Sequence, residues 1–389
     1  MNCSAIRSAA RRAAIISIIV GFAPPLYNWR AIDRKSHVGK IQKWTVRSRR
    51  RASAEEVDRC CAPGDAMKFS RLMFLAGKSS KIRSSGNVSL MDRYRTLVDL
   101  FQMYRQGGAC ANIEDLCADF NRIDACTKAQ IGRSFETLNA VEIGFGAKPY
   151  RIIYFNARGV NTFGIDMDRP IVNGSPIDLW GIARKNGLLR AAKSGFRFHL
   201  FERQARQAFL NQIHASNPTF AFDTKRLIVG NAGTCAPWDQ ICVQPDVIYS
   251  FRVFEHIDPE SLESLIKILH QHLHRSAVMY IVITVYTGII GNHLTEWYPH
   301  RLHELNKRSH PWEHLRRNRF HADTYLNKLT RRQYADLFSS YFEILTNEPV
   351  IPDLGREFLT DDVRYELAKY DEYELLSNDC LFVLRPSAA

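Results

Sequence analysis

VEIGFGAKPYRIIYFNARGVNTFGIDMD, residues 141–168, places two glycines directly after one apolar run and an acidic residue at the end of the next. Gly144 and Gly146 permit a tight turn and a close approach of backbone to a ligand, where side chains would obstruct. A helix expected over 149–158 then points unpaired N–H groups toward whatever the turn holds. Asp166 ends the second run, 20 residues after Gly146, where a carboxylate can accept hydrogen bonds from ribose hydroxyls. Glu142 sits below the loop, placed to orient it or to meet a ligand's ammonium group. This is the order of a nucleotide-binding unit. A dinucleotide fingerprint, GxGxxG, would put its third glycine at 149, but Pro149 stands there without an N–H, which disfavours a pyrophosphate. A smaller adenosine ligand without a phosphate remains.

From residue 139 onward short apolar runs alternate with helix-like stretches. Strands are expected at 140–143, 161–165, 225–229, 245–251, 278–286, 341–350 and 379–386, and helices near 149–158, 182–212, 259–274 and 330–340. The alternation predicts an α/β, Rossmann-like fold: a seven-stranded, mostly parallel sheet with helices on both faces. No crossover helix pattern separates the last two strands, only a long acidic stretch, so they form an antiparallel pair with an antiparallel edge strand. Domain boundaries follow from the same pattern. Residues 1–90 form a basic, loosely structured extension; 91–138 form a helical cap, beginning with MDRYRTLVDLFQMYRQ. Residues 139–389 form the catalytic domain, with an insertion near 169–224 and an acceptor-side segment near 287–325.

VEIGFGAKP, VNTFGIDMD and the later PDVIYSFRVFEHIDPESLESLIKIL together resemble the AdoMet-dependent class I methyltransferases, well over about 139–287 and more loosely over 288–386. The resemblance implies S-adenosyl-L-methionine as cofactor. It implies that Glu142, Gly144 and Gly146 support the methionyl part and Asp166 the ribose. Asp246 begins the fourth strand, and Glu255, on the cofactor side, follows it with His256. Two positions depart from the family pattern. Lys148 occupies a frequent third glycine of the first motif, and GNAG (230–233) replaces the usual acid after the third strand, leaving the Asn231 carbonyl, or Ala232 through its backbone alone, to accept from the adenine amino group.

Methyl transfer from a sulfonium is an in-line displacement, so alignment supplies much of the acceleration, and a base is needed only when the acceptor loses a proton. His256, in FRVFEHID (251–258), is one candidate for that catalytic role, with loop tethering as the alternative. The stretch 287–321 lies beyond the carboxyl end of the fifth strand and holds His293, His300, His303, His310, His314 and His321 with Trp297 and Trp312. His293 is the first choice for general base, and the tryptophans could wall an aromatic or sugar-like acceptor. HPWEH lacks the HExxH order and Pro311 breaks a simple helix, so no metal is expected from these histidines.

Charge bears on the acceptor. The chain carries a formal +13, but residues 1–100 hold 20 Lys or Arg against 7 Asp or Glu, so the remainder is neutral. A cluster of Arg316, Arg317, Arg319, Arg331 and Arg332 offers a local basic patch, yet no RNA-binding module and no asparagine-proline-proline-aromatic motif is present, with SFRVFEH after strand four. A small-molecule, saccharide or lipid-linked substrate is expected rather than nucleic acid. Nine cysteines, an odd number without a CxxC pair, argue against a disulfide scaffold and fit a reducing, cytoplasmic setting. Arg7, Arg11 and Arg12 precede an apolar stretch at 13–27 that is short for a bilayer span and broken by Pro24 and Pro25; it is a dispensable leader, a signal-like segment or a peripheral membrane contact. Oligomeric state leaves no mark in the sequence. Two competing functions share the same sheet: a nicotinamide-dependent oxidoreductase, against which Pro149 counts, and a noncatalytic AdoMet-binding scaffold, which Lys148 and Asn231 would suit.

Overall fold

A computed structural model describes residues 112–317 and 325–387. The apolar stretch 13–27, the basic run 47–53, the helix expected from 91, His321 and Arg319 lie outside the described residues. Seven strands form one sheet: β1 (Asn139–Ile143), β2 (Asn161–Asp166), β3 (Leu227–Val229), β4 (Val247–Phe251), β5 (Val278–Thr284), β6 (Phe342–Pro349) and β7 (Asp379–Pro386), in the order β3-β2-β1-β4-β5-β7-β6. β1 to β5 pair in parallel; β7 runs antiparallel to both β5 and β6, so the last two strands form the antiparallel pair expected at the edge. β7 inserts between β5 and β6, which leaves β6 outermost, with a bulge between Ile344 and Thr346.

Strand alternation decides which helices each face carries. Val141, Ile143, Ile248, Met279, Ile281 and Ile283 face α6 (Pro259–His272) and α7 (Arg331–Ser339), and pack with Leu262, Leu265, Ile266, Leu269, Tyr334 and Phe338. Ala140, Val247, Tyr249, Val278, Tyr280 and Val282 face the other way, onto α1 (Ile113–Ile131), α2 (Tyr150–Ala157) and α5 (Arg203–Ser216). Burial on both faces is why these strands read as nearly unbroken apolar runs. α1 is built into this second core through Leu116, Phe120 and Ile123. Its N-cap Asn112 accepts from the Glu114 N–H, and Gly132, at φ 75°, ends it in the left-handed conformation that glycine adopts without a Cβ penalty.

Between β2 and β3 the chain makes three helices, α3 (Pro176–Asn186), α4 (Leu188–Arg197) and α5, with a π turn at Phe198–Glu202. The single helical stretch expected over 182–212 is thus divided; Gly187, at φ 92°, ends α3 and begins α4. β3 is shorter than 225–229 because Asp223 caps a 3-10 turn at Thr224–Arg226 by accepting the Lys225 N–H at 3.0 Å. Two short helices, Asp361–Glu366 and Glu372–Leu376, occupy the acidic stretch before β7. Among the described residues no helix is long and apolar enough to cross a membrane.

Candidate functional site

The strand order reverses at β1, whose neighbours are β2 and β4, and in open α/β sheets the crevice at such a reversal, beyond the carboxyl ends of the strands, receives the ligand. The glycine loop leaves β1 at this place. Gly144 and Gly146 have φ of 79° and 65°, a left-handed backbone that a side chain resists. They are needed for different reasons. A Cβ on Gly144 would lie 2.3 Å from Val253 Cγ2 in the loop after β4, whereas a Cβ on Gly146 would meet nothing within 4 Å. Gly144 therefore lets two loops touch, and Gly146 leaves room above the turn.

Asp166 reaches back to this loop. Its Oδ2 accepts the Gly146 N–H at 2.7 Å and its Oδ1 the Asp168 N–H at 2.7 Å, which ties the ends of β1 and β2 together. Burial pushes the Asp166 carboxyl up to about 6, and the same two N–H groups oppose that rise. Each oxygen keeps a second lone pair for a ligand hydroxyl. The donor-side residues present thus fit a nucleoside: an open glycine turn beside a partly buried carboxylate.

Glu142 lies elsewhere than at the rim. It is 1% exposed, on the α2 side of β1, and its Oε1 accepts from Arg151 Nη1 at 2.8 Å. Arg151 also grips Asp119 of α1, at 3.0 and 3.2 Å, and lies 3.9 Å over the Phe251 ring. Burial raises the Glu142 carboxyl to about 7 against the pull of Arg151. This trio fastens α1, β1 and α2 beneath the loop. Lys148, at the third motif position, pairs with Glu202 of the π turn at 3.3 Å, so the insertion is attached directly to the glycine loop. Asn231 is exposed after β3, and its side-chain carbonyl accepts the Gly233 N–H at 2.9 Å, while Gly230 N–H donates to the Asp166 carbonyl at 2.8 Å. Asp246 caps the far end of the sheet: its Oδ2 accepts the Asn139 N–H at 2.8 Å, so it belongs to strand pairing and not to the rim.

Three residues named from sequence converge. Glu255, His256 and His293 each offer a ligand atom, all within 4.8 Å of one another, and the two imidazole centroids are 5.1 Å apart. Glu255 and His256 sit on the 3-10 turn Phe254–His256 after β4; His293 follows β5 at φ 58°. Glu255 is 3% exposed and its carboxyl meets no side-chain donor; burial pushes it up to about 8 against the backbone N–H groups of Glu255 and Thr284. Burial lowers the His256 imidazole, which contacts the Tyr325 carbonyl through Nδ1 at 2.9 Å. His293 is held well below the ordinary imidazole range, first by burial and then by His256, Arg252 and His314; its Nε2 is buried without a partner.

Residues not singled out from sequence build the support. Asn327 donates through Nδ2 to the Phe254 carbonyl at 2.8 Å and the Ile257 carbonyl at 2.9 Å, and through its backbone N–H to the Glu255 carbonyl at 2.9 Å. Arg252, at φ 57°, forms a two-pronged pair with Asp379 of β7 at 2.7 and 3.2 Å, and Thr284 donates to the same carboxylate at 2.6 Å.

The other described histidines and both tryptophans lie outside this trio. His314 is buried, its Nε2 at 2.8 Å from the Tyr286 carbonyl, and burial lowers it to about 4. His303 is exposed and faces Glu357 at 3.6 Å. Trp312 is fully buried, and Trp297, with its Nε1 donating to Ser309 Oγ at 2.8 Å, lines a surface cavity of about 610 Å³ with His303, Lys307 and His310. Trp312 therefore packs the segment instead of walling an acceptor. The basic patch is also neutralised in part: Arg316 pairs with Glu366 at 2.6 Å and Arg317 with Glu313 at 3.4 Å.

No family model matches the chain, and no curated protein does. Among solved structures it is similar to the PH0226 protein of Pyrococcus horikoshii OT3, at 13% identity and a TM-score of 0.37, over 74% of this chain and 99% of that one. It is similar to an S-adenosylmethionine-dependent methyltransferase of Clostridium acetobutylicum ATCC 824 at 10% identity and a TM-score of 0.36, covering 76% and 99% of the two chains. The plantazolicin methyltransferase BpumL, solved with SAH, matches at 12% identity and a TM-score of 0.37, covering 76% and 91%. The strand order and register carry the fold, a seven-stranded, mostly parallel Rossmann-like sheet with an antiparallel edge.

Proposed function

We propose that the chain is an AdoMet-dependent methyltransferase that moves a methyl group by in-line displacement to an oxygen or nitrogen of a small-molecule, saccharide or lipid-linked acceptor. The observation that carries the reading is the Asp166 carboxylate bonded to the Gly146 N–H at 2.7 Å, in a loop whose other glycine touches the turn bearing Glu255 and His256. Donor and acceptor elements are thereby adjacent without a covalent step on the protein. AdoMet, when bound, supplies a methyl carbon made electrophilic by the neighbouring sulfonium.

In this reading Gly144, Gly146 and Asp166 hold the nucleoside, and Asn231 lies toward the adenine. Glu142 acts through Arg151 as a positioning residue. Residues 139–389 form the catalytic domain, with 169–224 as an insertion tied to the donor loop through Lys148 and 287–325 supplying the acceptor side. Glu255, His256 and His293 face the acceptor. Burial holds the His293 imidazole neutral, although so acidic an imidazolium makes a weak base toward a plain hydroxyl. The paired arginines and the neutral charge of the chain beyond residue 100 support an acceptor other than nucleic acid.

Calorimetry with AdoMet tests the donor side. The folded protein should bind it and Asp166→Ala should lose at least about tenfold in affinity, the order expected for charge-assisted hydrogen bonds. No heat of binding from the intact protein, or tighter binding of NADPH than of AdoMet, would remove the reading. Isotopically labelled AdoMet incubated with extract of the source cell would then mark the acceptor.

A further inference from the structure

We propose that Glu255, His256 and His293 form a binding site for a divalent transition-metal ion such as Zn²⁺, Mn²⁺ or Co²⁺, beside the proposed methyl-donor site. Two imidazoles and one carboxylate are the donor set that such ions accept with positions left open. The three ligand atoms lie within 4.8 Å of one another. Metal bonds of about 2.0–2.2 Å put adjacent ligands roughly 3 to 3.5 Å apart, so side-chain rotations of about an ångström close the site. The residues come from separate places: the turn after β4, which Asn327 fixes through the Phe254 and Ile257 carbonyls, and the loop after β5, where the His293 N–H donates to the Ile290 carbonyl at 2.9 Å.

Three independent observations point to a ligand among them. First, Glu255 is 3% exposed and its carboxyl meets no side-chain donor, only the backbone N–H groups of Glu255 itself and Thr284; a buried polar group left short of partners costs about 1–3 kcal/mol. His293 Nε2 is buried without a partner. Second, His256 Nδ1 meets the Tyr325 carbonyl at 2.9 Å. Donation to that carbonyl fixes the tautomer and leaves Nε2 as the free nitrogen, the usual outer arrangement of a metal-bound histidine. Third, His293 is held at φ 58°, a left-handed backbone for a residue with a side chain. Such outliers persist where the surrounding structure fixes them, and they gather at functional sites.

Arg252 opposes a cation at this place, since its guanidinium disfavours positive charge on His293. Its charge is committed to Asp379 through two hydrogen bonds, which reduces that opposition. His314, the remaining titratable neighbour of His293, is engaged with the Tyr286 carbonyl and stays neutral. The ion would have positions left for water or for an oxygen of the acceptor. A metal-bound hydroxyl gives up its proton far more readily than a free one, which offsets the weakness of His293 as a base.

The site can be tested without AdoMet or acceptor, so its failure and the failure of the methyltransferase reading are separable. Full-length protein is dialysed against a chelator and titrated with Co²⁺, Zn²⁺ and Mn²⁺ separately, with calorimetry for affinity and visible absorption for the Co²⁺ complex. About one ion per chain is expected, with Co²⁺ bands of a nitrogen and oxygen ligand set. Glu255→Gln and His293→Ala should each weaken binding by more than the roughly 10–100-fold typical of an outer-shell loss, while exposed His303→Ala leaves it unchanged. Circular dichroism and thermal melts establish that each variant is folded. Should the folded protein bind none of the three ions, or should folded Glu255→Gln and His293→Ala both bind as the parent does, the proposal is wrong.

Discussion

At the scale of single residues, Asp166 shows how one carboxylate can serve the fold and a ligand together. Its folded-state carboxyl stands at about 6 against 3.8 unperturbed, because burial outweighs the two N–H donors. The sign for the empty protein follows: the folded state holds this proton more tightly than the unfolded chain. The group favours folding at low pH, and that contribution is lost as pH rises from about 4 through about 6. AdoMet binding should run the other way, since ribose hydroxyls need the ionised acceptor. Affinity at pH 5 should be about tenfold weaker than at pH 7.5, from the protonated fraction alone. Calorimetry at the two values checks this, and Asp166→Asn should flatten the dependence. Glu142 teaches a complementary lesson. Its place below the glycines suggests a ligand contact, but Arg151 was the signal to read. A cation in the first turn of a helix opposes the helix dipole and implies an acidic partner elsewhere.

At the scale of elements, the two glycines separate conformational need from spatial need. Gly146→Ala places a side chain in a left-handed position with open space around it, and should cost about 1–2 kcal/mol of stability. Gly144→Ala adds a Cβ 2.3 Å from Val253 Cγ2 and should cost more. Val253→Ala in the Gly144→Ala background should recover part of the difference, and urea denaturation of the four proteins gives the coupling. A strictly additive result would mean that the loops do not press on each other. The strands were legible because burial on both faces leaves a continuous apolar run, and Asp379–Pro386 ends where its sequence pattern ends. Convergence of Glu255 and His256 with His293 was not legible. The residue types stood out, but only the adjacency of β4 and β5 brings their loops together. Asn327 and Asp379 were missed for the same reason: each acts on a partner distant in sequence.

At the scale of the molecule, the middle of the sheet is braced from its far strand. Asp379, 3% exposed on β7, receives Arg252 from the end of β4 and Thr284 from the end of β5. Asp379→Asn leaves the guanidinium without its counter-charge and should cost roughly 3 kcal/mol or more, as breaking one side of a buried pair does. Chemical denaturation reads that loss, and an unchanged midpoint would show that the brace is not one. The segment after β5 is organised differently. Glu296 accepts the N–H groups of Arg308 and Ser309 at 2.8 and 3.0 Å, and Lys307 donates to the Glu296 carbonyl at 2.8 Å. A loop from 296 to 309 is thereby closed upon its own base, while Asn327 pins the chain farther on to the turn after β4. A segment cinched in this manner is an exchangeable cassette: in the proposed function, its interior can be rewritten for a different acceptor while the glycine loop stays as it is.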